Sequence, residues 1–334
     1  MAKVKKIINA PDTIVSEVLD GIVLASNGGL VRESDAPVLR RAVKTPGKVG
    51  LVIGGGSGHE PMYSAFVGHG LADASVAGEI FAAPSPDQIA TAARAVDAGK
   101  GVMFVYGNYA GDVLNFDVAS EILAAEGIAC RTVLVADDAA VDIVADRRGI
   151  AGAVYQVKVA GYACERLPTL EKAAALVERA KDNIRTLGVA VRPGSFPHTG
   201  VPTFEIGDDE IEVGMGLHGE RGVTRQKLLP ADVLVEDMVN RLKADLGLKS
   251  GDRIAVLLNN LGSTTFMELM IINRKLRQLL SAAGFAVARA DLGAYFTSQE
   301  MAGFSLTFMR LDPELEAALA APASSPGFTQ AGGA

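Results

Sequence analysis

The stretch KVGLVIGGGSGHE (residues 48–60) decides the fold, because an apolar run passes directly into a turn made of glycines. The run KVGLVI (48–53) predicts a strand that is buried on both faces of a sheet. The turn GGGSGHE (54–60) follows this strand and precedes a predicted helix. Open α/β sheets bind ligands beside the carboxyl ends of their strands, so the turn also marks a candidate binding site.

Strand and helix signals alternate after this turn. Helices are predicted at PDQIATAARAVDAG (86–99) and DVLNFDVASEILAAEG (112–127), and strands at GVMFVYG (101–107) and IACRTVLVAD (128–137). Continuous apolar strands that alternate with amphipathic helices indicate a largely parallel sheet with helices on both faces.

The sequence changes character after residue 188. Residues 189–222 are rich in glycine and proline and contain only short β-like pieces. Beyond Pro230 the alternation returns, with a helix at 231–246, a strand at 253–260 and a helix at 265–283. These signals predict a second α/β region that is separate from the first.

We therefore predict an α/β protein of two domains, residues 1–188 and 189–322, each with a largely parallel or mixed sheet flanked by helices. The tail PASSPGFTQAGGA ends the sequence and has little apolar content. We expect residues 323–334 to be loose for that reason.

Composition excludes several classes of function. Hydrophobic residues make up 49% of the 334 residues and charged residues 21%, which is typical of a packed globular protein. The net charge of −7 argues against nucleic acid or an anionic membrane as a partner. No segment approaches the roughly 18 uninterrupted apolar residues of a membrane span. The two cysteines, Cys130 and Cys164, fit small buried side chains in a reducing cytoplasm, where we expect the protein to act.

The glycine turn does not match a nucleotide site. A phosphate loop needs Lys followed by Ser or Thr after its last glycine, and here His59 and Glu60 stand in those places. The dinucleotide pattern needs a glycine where His59 stands. Two interpretations remain open at this point, a tight strand-to-helix turn and a site for a small molecule. The sequence predicts no cofactor and no metal bound by this chain.

The turn YGNYAGDVLNF (106–116) also leaves a strand and enters a helix. Asp112 has two interpretations, a helix N-cap or a partner of His59 in acid–base chemistry at the same sheet edge. The turn NNLGSTTFME (259–268) is similar. Its hydroxyl residues either cap the following helix or dock a partner: Ser263, Thr264 and Thr265.

The stretch GMGLHGERG (214–222) places His218 among four glycines. No Ser or Cys is placed nearby to use the imidazole as a base, and no metal-ligand pattern surrounds it. A neutral imidazole is itself a nucleophile at physiological pH. The loop therefore raises the question of what an imidazole does with so little side-chain cover.

Five stretches together resemble the dihydroxyacetone kinases: GLVIGGGSGHEPMYSAFVGHGL, GEIFAAPSPDQI, GNYAGDVLNF, GMGLHGERG and LLNNLGSTTFMEL. More narrowly, they resemble the substrate-binding subunit that works with a separate nucleotide-carrying subunit. The likeness runs in order from about residue 3 to residue 312, nearly the whole chain. Its specificity lies in several motifs at matching separations, since a single glycine motif would be a weak signal.

The resemblance implies a site at the domain junction. It implies that His218 adds to the carbonyl of a short-chain hydroxyketone to give a hemiaminal, with Asp112 as the base toward the hydroxyl that receives the phosphoryl group. Gly56 would supply a backbone hydrogen bond and His59 a polar contact. The substrate-binding set is then Gly56, Ser57, Gly58, His59, Asn108, Tyr109, Asp112 and His218.

The resemblance also implies the partners. Phosphate would come from ATP, or from ADP rephosphorylated by the phosphotransferase system, held with Mg²⁺ on a separate subunit, because this sequence contains no phosphate loop. A homodimer is the family precedent. Three functions compete: a carbohydrate kinase subunit, a ketone-sensing regulatory module, and a nicotinamide-dependent oxidoreductase. The last lacks its fingerprint, and Asp112 favours the kinase because a sensor needs no base.

One residue departs from the family pattern. Family members carry Lys before Asn-Tyr, whereas this chain has Gly107 before Asn108 and Tyr109. Loss of that side chain predicts a wider pocket and a four-carbon ketose such as erythrulose as substrate. In the alternative, a neighbouring side chain or water fills the space and dihydroxyacetone remains the substrate.

Overall fold

The structure, a computed structural model, describes residues 4–33 and 36–332. The helices are α1 (Ile14–Ala25), α2 (Pro86–Val96), α3 (Ala110–Ala125), α4 (Ala153–Arg166), α5 (Leu170–Asp182), α6 (Ala231–Asp245), α7 (Phe266–Ala282) and α8 (Pro313–Ala320). The strands are β1 (Leu30–Arg32), β2 (Val38–Arg41), β3 (Gly50–Ser57), β4 (Ala74–Ile80), β5 (Val102–Gly107), β6 (Cys130–Val135), β7 (Ile184–Arg192), β8 (Glu210–Val213), β9 (Thr224–Lys227), β10 (Arg253–Asn260), β11 (Ala286–Gly293), β12 (Ala302–Arg310), β13 (Ala323–Ser324) and β14 (Thr329–Gln330).

The chain forms two compact units, each made of several segments. The N-terminal unit consists of Ile7–Val135, Ala153–Asp182 and the described part of Ala317–Ala334. The C-terminal unit consists of the described part of Met1–Lys6, together with Ala136–Gly152 and Asn183–Glu316. None of the helices in residues 4–33 and 36–332 combines the length and the apolar character needed to cross a membrane.

The sheet of the N-terminal unit has the order β1-β2-β4-β3-β5-β6. Strands β4, β3, β5 and β6 run parallel, and the short strands β2 and β1 continue the sheet in antiparallel fashion. Apolar side chains of α2 and α3, such as Ile89 and Phe116, join Val52 and Phe104 of the sheet in one core. The predicted parallel sheet is confirmed, although β4 gave no clear signal in the sequence.

The sheet of the C-terminal unit is mixed and mostly antiparallel. Its order is β11-β10-β12-β7-β8-β9, and β10 and β11 are its parallel pair. The pairs β10–β12, β12–β7, β7–β8 and β8–β9 are antiparallel. Helices α6 and α7 cover the sheet with Leu234, Met238, Leu269 and Leu276 among the core residues. This arrangement agrees with the mixed sheet allowed by the prediction.

The predicted boundary at residue 188 differs from the structure. Residue 188 lies inside β7, which pairs with β12 along most of its length. The segment Ala136–Gly152, predicted as part of the first domain, belongs to the C-terminal unit. The cause is long-range: Thr186 of β7 donates its backbone N–H to Asp137 O at 2.8 Å and accepts the N–H of Ala139 at 2.9 Å.

The tail is also different from its prediction. Residues 323–330 form a small hairpin of β13 and β14, and Ser324 donates its backbone N–H to His69 O at 2.9 Å. Phe328 is buried, with its ring centroid 5.7 Å from that of Phe66. The expectation of a loose tail is wrong for residues 323–330, because strand pairing and the buried Phe328 anchor them, and residues 333 and 334 lie outside the described residues.

This anchoring predicts the effect of shortening one side chain. Phe328→Ala removes a buried ring, so the free energy of unfolding should fall by about 3 kcal/mol, measured by urea denaturation. The exposed neighbour Thr329 provides the control, since Thr329→Ala should leave the urea midpoint nearly unchanged. Equal urea midpoints for the two variants would show that Phe328 does not anchor the tail.

Candidate active site

Two of the predicted turns open at one edge of the N-terminal sheet. Strands β3 and β5 are parallel neighbours with Gly54 opposite Tyr106, so their carboxyl ends coincide. A methyl carbon built on Gly55 would lie 3.7 Å from Asp112 Oδ1. The sequence prediction that these two turns meet is therefore confirmed for Gly55 and Asp112.

Close backbone packing explains the glycines of the first turn. A Cβ on Gly56 would lie 2.8 Å from the backbone nitrogen of Ala82. A Cβ on Gly58 would lie 2.6 Å from Phe81 Cε1, and the φ of Gly58 is +106°, which disfavours other residues. The two glycines thus allow the turn to pack closely against Phe81 and Ala82.

The polar side chains of this turn have different surroundings. Ser57 is buried and its hydroxyl donates to Gly78 O at 2.6 Å, so its proton is used within the sheet. The ring of His59 is buried, 5.1 Å from the ring of Phe81 between centroids. The carboxylate of Glu60 accepts the backbone N–H of Gly58 at 3.0 Å, and burial raises the pKa of Glu60.

Two aromatic residues of the site were missed in the sequence. The Tyr63 ring is 2.9 Å from a Cβ built on Gly55, and its hydroxyl is 3.6 Å from one built on Gly107. Phe81 has a left-handed backbone, φ +58°, and its ring covers Gly58 and His59. A left-handed conformation costs a non-glycine residue about 1–2 kcal/mol. Neither position has a local sequence signal, because long-range packing brings both rings to the turn.

Helix α3 begins before Asp112, which the sequence offered as a possible N-cap. Its N-cap is Tyr109, and Asp112 is in the first turn. The N-cap interpretation of Asp112 is therefore wrong. The carboxyl group is buried at the positive end of the helix dipole, which favours a negative charge there. Asn108 precedes the N-cap residue and donates its backbone N–H to Val135 O at 3.0 Å.

The space beside Gly107 is occupied. A Cβ built on Gly107 would lie 2.9 Å from both Cδ2 and Cε2 of Tyr109. The predicted widening of the pocket by the missing side chain is contradicted by this contact. The ring of Tyr109 takes the volume that a larger residue 107 would need, which is the alternative that the sequence left open.

His218 lies in the loop between β8 and β9 of the C-terminal unit. Met215 and Leu217 are buried beside it, whereas 26% of the His218 side chain is exposed. Ser298 Oγ donates to Leu217 O, and Gly214 donates its backbone N–H to Gly188 O at 2.7 Å. Backbone contacts therefore hold the loop in place while the imidazole reaches solvent.

Glu220 contacts His218 twice. Its Oε1 is 2.9 Å from His218 Nδ1, and its Oε2 accepts the backbone N–H of His218 at 2.9 Å. Burial alone would raise the pKa of Glu220, but the hydrogen bonds and charge of His218 outweigh it and lower this pKa to about 2. The carboxylate is consequently charged at neutral pH.

Arg148 also donates a hydrogen bond to the backbone of the His218 loop. Arg148 donates Nε to Asp138 Oδ2 at 2.8 Å and Nη2 to Gly214 O at 2.7 Å. Burial raises the pKa of Asp138 to about 6, although the charge of Arg148 opposes the shift. Asp138 therefore remains mostly charged at neutral pH, and the ion pair with Arg148 persists.

The third turn is a helix cap. Thr265 is the N-cap of α7 and forms a capping box with Glu268. Thr264 Oγ1 donates to Gly303 O at 2.6 Å, and Ser263 Oγ donates to Glu300 O at 2.8 Å. The capping interpretation is confirmed for Thr265, whereas the hydroxyls of Ser263 and Thr264 bind carbonyl groups outside the helix.

The N-terminal unit therefore offers a carboxylate, Asp112, at the glycine turn, and the C-terminal unit offers a nucleophile, His218. Within residues 4–33 and 36–332, no group of three or more His, Cys, Asp or Glu side chains could hold a metal ion. His218 can add to a carbonyl, Asp112 can accept a proton, and the glycine turn can donate backbone hydrogen bonds. His218 belongs to the C-terminal unit, and the glycine turn and Asp112 belong to the N-terminal unit.

Comparison with known proteins identifies the family. The Dak1 domain model matches residues 20–327. The dihydroxyacetone-binding subunit DhaK of PTS-dependent dihydroxyacetone kinase 1 from Listeria innocua is 42% identical, over 93% of this chain and 95% of that protein. L-erythrulose kinase from Pectobacterium atrosepticum is 39% identical, over 96% of this chain and 56% of its own longer chain.

Two solved structures are also similar. The dihydroxyacetone kinase from C. freundii in complex with AMP-PNP and Mg²⁺ has a TM-score of 0.91 and 32% identity, over 98% of this chain and 61% of that chain. The dihydroxyacetone kinase operon co-activator Dha-DhaQ has a TM-score of 0.89 and 32% identity, over 94% of this chain and 98% of that chain. The chain therefore belongs to the Dak1 domain family, as its resemblance to the dihydroxyacetone kinases predicted, and it is a component of a kinase, a phosphotransferase.

Proposed function

We propose that this chain is the substrate-binding subunit of a kinase for a short-chain hydroxyketone, which it holds as a hemiaminal on His218. The observation that carries the proposal is the partly exposed imidazole of His218 in a loop fixed by backbone contacts. Such a ring can add to a carbonyl without an activating base. Polyols such as glycerol lack the carbonyl and would not be retained.

The residues of the N-terminal unit complete the proposed chemistry. Asp112 acts as the base toward the hydroxyl that receives the phosphoryl group, and His59 makes a polar contact to the ketone. The backbone of Gly56 makes a hydrogen bond to the ketone, and Ser57, Gly58, Asn108 and Tyr109 complete the substrate-binding set. Two arguments support the proposal that these residues and His218 serve one substrate. The reaction needs both a nucleophile and a base, which different units supply, and the chain belongs to the Dak1 domain family.

Phosphate is proposed to come from a separate subunit that carries ATP, or ADP rephosphorylated by the phosphotransferase system, with Mg²⁺. The absence of a phosphate loop from the sequence and the name of the Listeria innocua subunit support this division of labour. We further propose a homodimer, with the reaction in the cytoplasm. Both thiols, Cys130 and Cys164, are free, as expected there.

A regulatory module that binds ketones without turnover is the second candidate. The likeness to a co-activator of a dihydroxyacetone kinase operon favours it. Asp112 favours the kinase, because a sensor has no use for a buried carboxylate beside the glycine turn. Turnover with an added kinase subunit separates the two.

The covalent bond is tested by replacing the nucleophile. His218→Ala should abolish the mass increase of one ketone that intact-mass spectrometry detects after incubation with dihydroxyacetone. His198→Ala removes an exposed imidazole of the same unit and should leave the adduct unchanged. An adduct that persists in His218→Ala would refute the proposal.

The base is tested by an isosteric change. Asp112→Asn keeps the shape of the side chain, so ketone binding should persist while turnover with an added nucleotide-carrying subunit falls roughly 10²- to 10⁴-fold. Asp117→Asn, an exposed change on the same helix, is the control. Joint loss of binding and rate would make Asp112 structural, and turnover without the added subunit would contradict the division between subunits.

Tyr109 provides a test of substrate size. Because its ring fills the space beside Gly107, the wild type should have a higher kcat/KM for dihydroxyacetone than for either enantiomer of erythrulose. Tyr109→Ala opens this space and should shift the ratio toward erythrulose by roughly 10- to 200-fold. Tyr162→Ala is the matched control in α4. A wild type that prefers erythrulose by a similar factor would show that the tetrose is the natural substrate.

A further inference from the structure

The carboxylate of Glu220 is held against the ring of His218 by the shape of its own loop. A Cβ on Gly216 would overlap Glu220 Oε2 and would lie 2.7 Å from Arg148 Nη1. A larger residue at this position would push the carboxylate or the guanidinium out of its present place. The backbone nitrogen of Gly216 also donates to Glu220 O at 3.0 Å, so the loop closes on Glu220 from two directions.

The contact to Nδ1 determines where the ring proton lies. An ionised carboxylate can only accept hydrogen bonds, so the short contact between Glu220 Oε1 and His218 Nδ1 requires a proton on Nδ1. When the ring is neutral, its single proton is then on Nδ1 and the lone pair is on Nε2. A carboxylate that orients an imidazole in this way also stabilises the positive ring that forms during reaction.

We propose that Glu220 is a positioning residue for the covalent step: it keeps the proton on Nδ1, which makes Nε2 the attacking atom, and it supplies the charge that stabilises the resulting cation. This inference deepens the proposed function and rests on it. The resemblance in sequence assigned no role to Glu220.

The step balances in atoms and charge. The Nε2 lone pair forms a bond to the carbonyl carbon, and the π electrons of the carbonyl move to its oxygen. That oxygen takes one proton from water, which leaves as hydroxide into the solvent, and the ring keeps its Nδ1 proton and becomes positive. The ion pair between the ring and Glu220 then lies within the loop, where the two partners are already in contact at 2.9 Å.

A purely structural role for Glu220 is the competing explanation, since its Oε2 also accepts the backbone N–H of His218. Two substitutions separate the roles. Glu220→Gln keeps the size of the side chain and removes the charge. Glu220→Asp keeps the charge, but the shorter side chain cannot reach Nδ1 and the backbone nitrogen together.

The experiment measures the tautomer and the adduct in the same samples. Nitrogen-15 NMR of histidine-labelled protein, with the His218 signals assigned by their loss in His218→Ala, reports the protonated nitrogen. Titration with dihydroxyacetone under intact-mass detection gives the dissociation constant of the adduct. Glu210→Gln is the control, because Glu210 also accepts a backbone N–H at 3.0 Å, from Gly207, outside the His218 loop.

We expect the wild type and Glu210→Gln to show the proton on Nδ1. Glu220→Gln and Glu220→Asp should lose this preference and weaken the adduct roughly 10- to 100-fold, the effect of losing a hydrogen bond to a charged group. Unchanged tautomer and affinity in these variants, with the adduct lost in His218→Ala, would overturn the role of Glu220 and leave the proposed function intact. If Glu220→Gln does not fold, Glu220→Asp decides by the same two measurements. An adduct that survives in His218→Ala refutes the proposed function and this inference together.

Discussion

The site in the N-terminal unit depends on close backbone packing along Gly54–Gly58, at the carboxyl end of the buried central strand β3. A Cβ on Gly54 would lie 2.5 Å from Val76 Cγ1, and one on Gly55 would lie 2.9 Å from Tyr63 Cε2. Overpacking of this kind costs about 1–3 kcal/mol when the surroundings can relax. Because the strand lacks side chains here, the ring of Tyr63 and the carboxyl group of Asp112 both reach its backbone.

Glycines in the C-terminal unit serve a second purpose. In the His218 loop they admit polar groups, since Gly216 leaves room for Glu220 and Arg148. The loop then contains its own counter-charge, with a carboxylate that is ionised at neutral pH beside the imidazole. A sparse side-chain cover around a histidine therefore does not mean a sparse environment, because backbone groups and one carboxylate surround it.

The sequence predicted the parts of the fold that local patterns encode. Apolar runs predicted β3 and β5, and the hydroxyl residues predicted the start of α7, which begins at Phe266 after its N-cap Thr265. The tail hairpin and the placement of Ala136–Gly152 could not be predicted, because both follow from pairings between distant segments. The same holds for Tyr63 and Phe81, whose rings reach the glycine turn through tertiary packing. Glu220 had a local signal, its position two residues after His218, but a charged residue in a glycine-rich loop is easily taken for a solvated one.

Gly107 shows why a single substitution is a poor guide to pocket size. Interiors are close-packed, so a side chain that is absent from one position leaves volume that a neighbour occupies. Here the neighbour is Tyr109, the N-cap residue of α3, whose ring lies against Gly107. The Tyr63 hydroxyl limits the same space, 3.6 Å from a Cβ on Gly107. The free space beside Gly107 is consequently set by the two tyrosines together rather than by residue 107 alone.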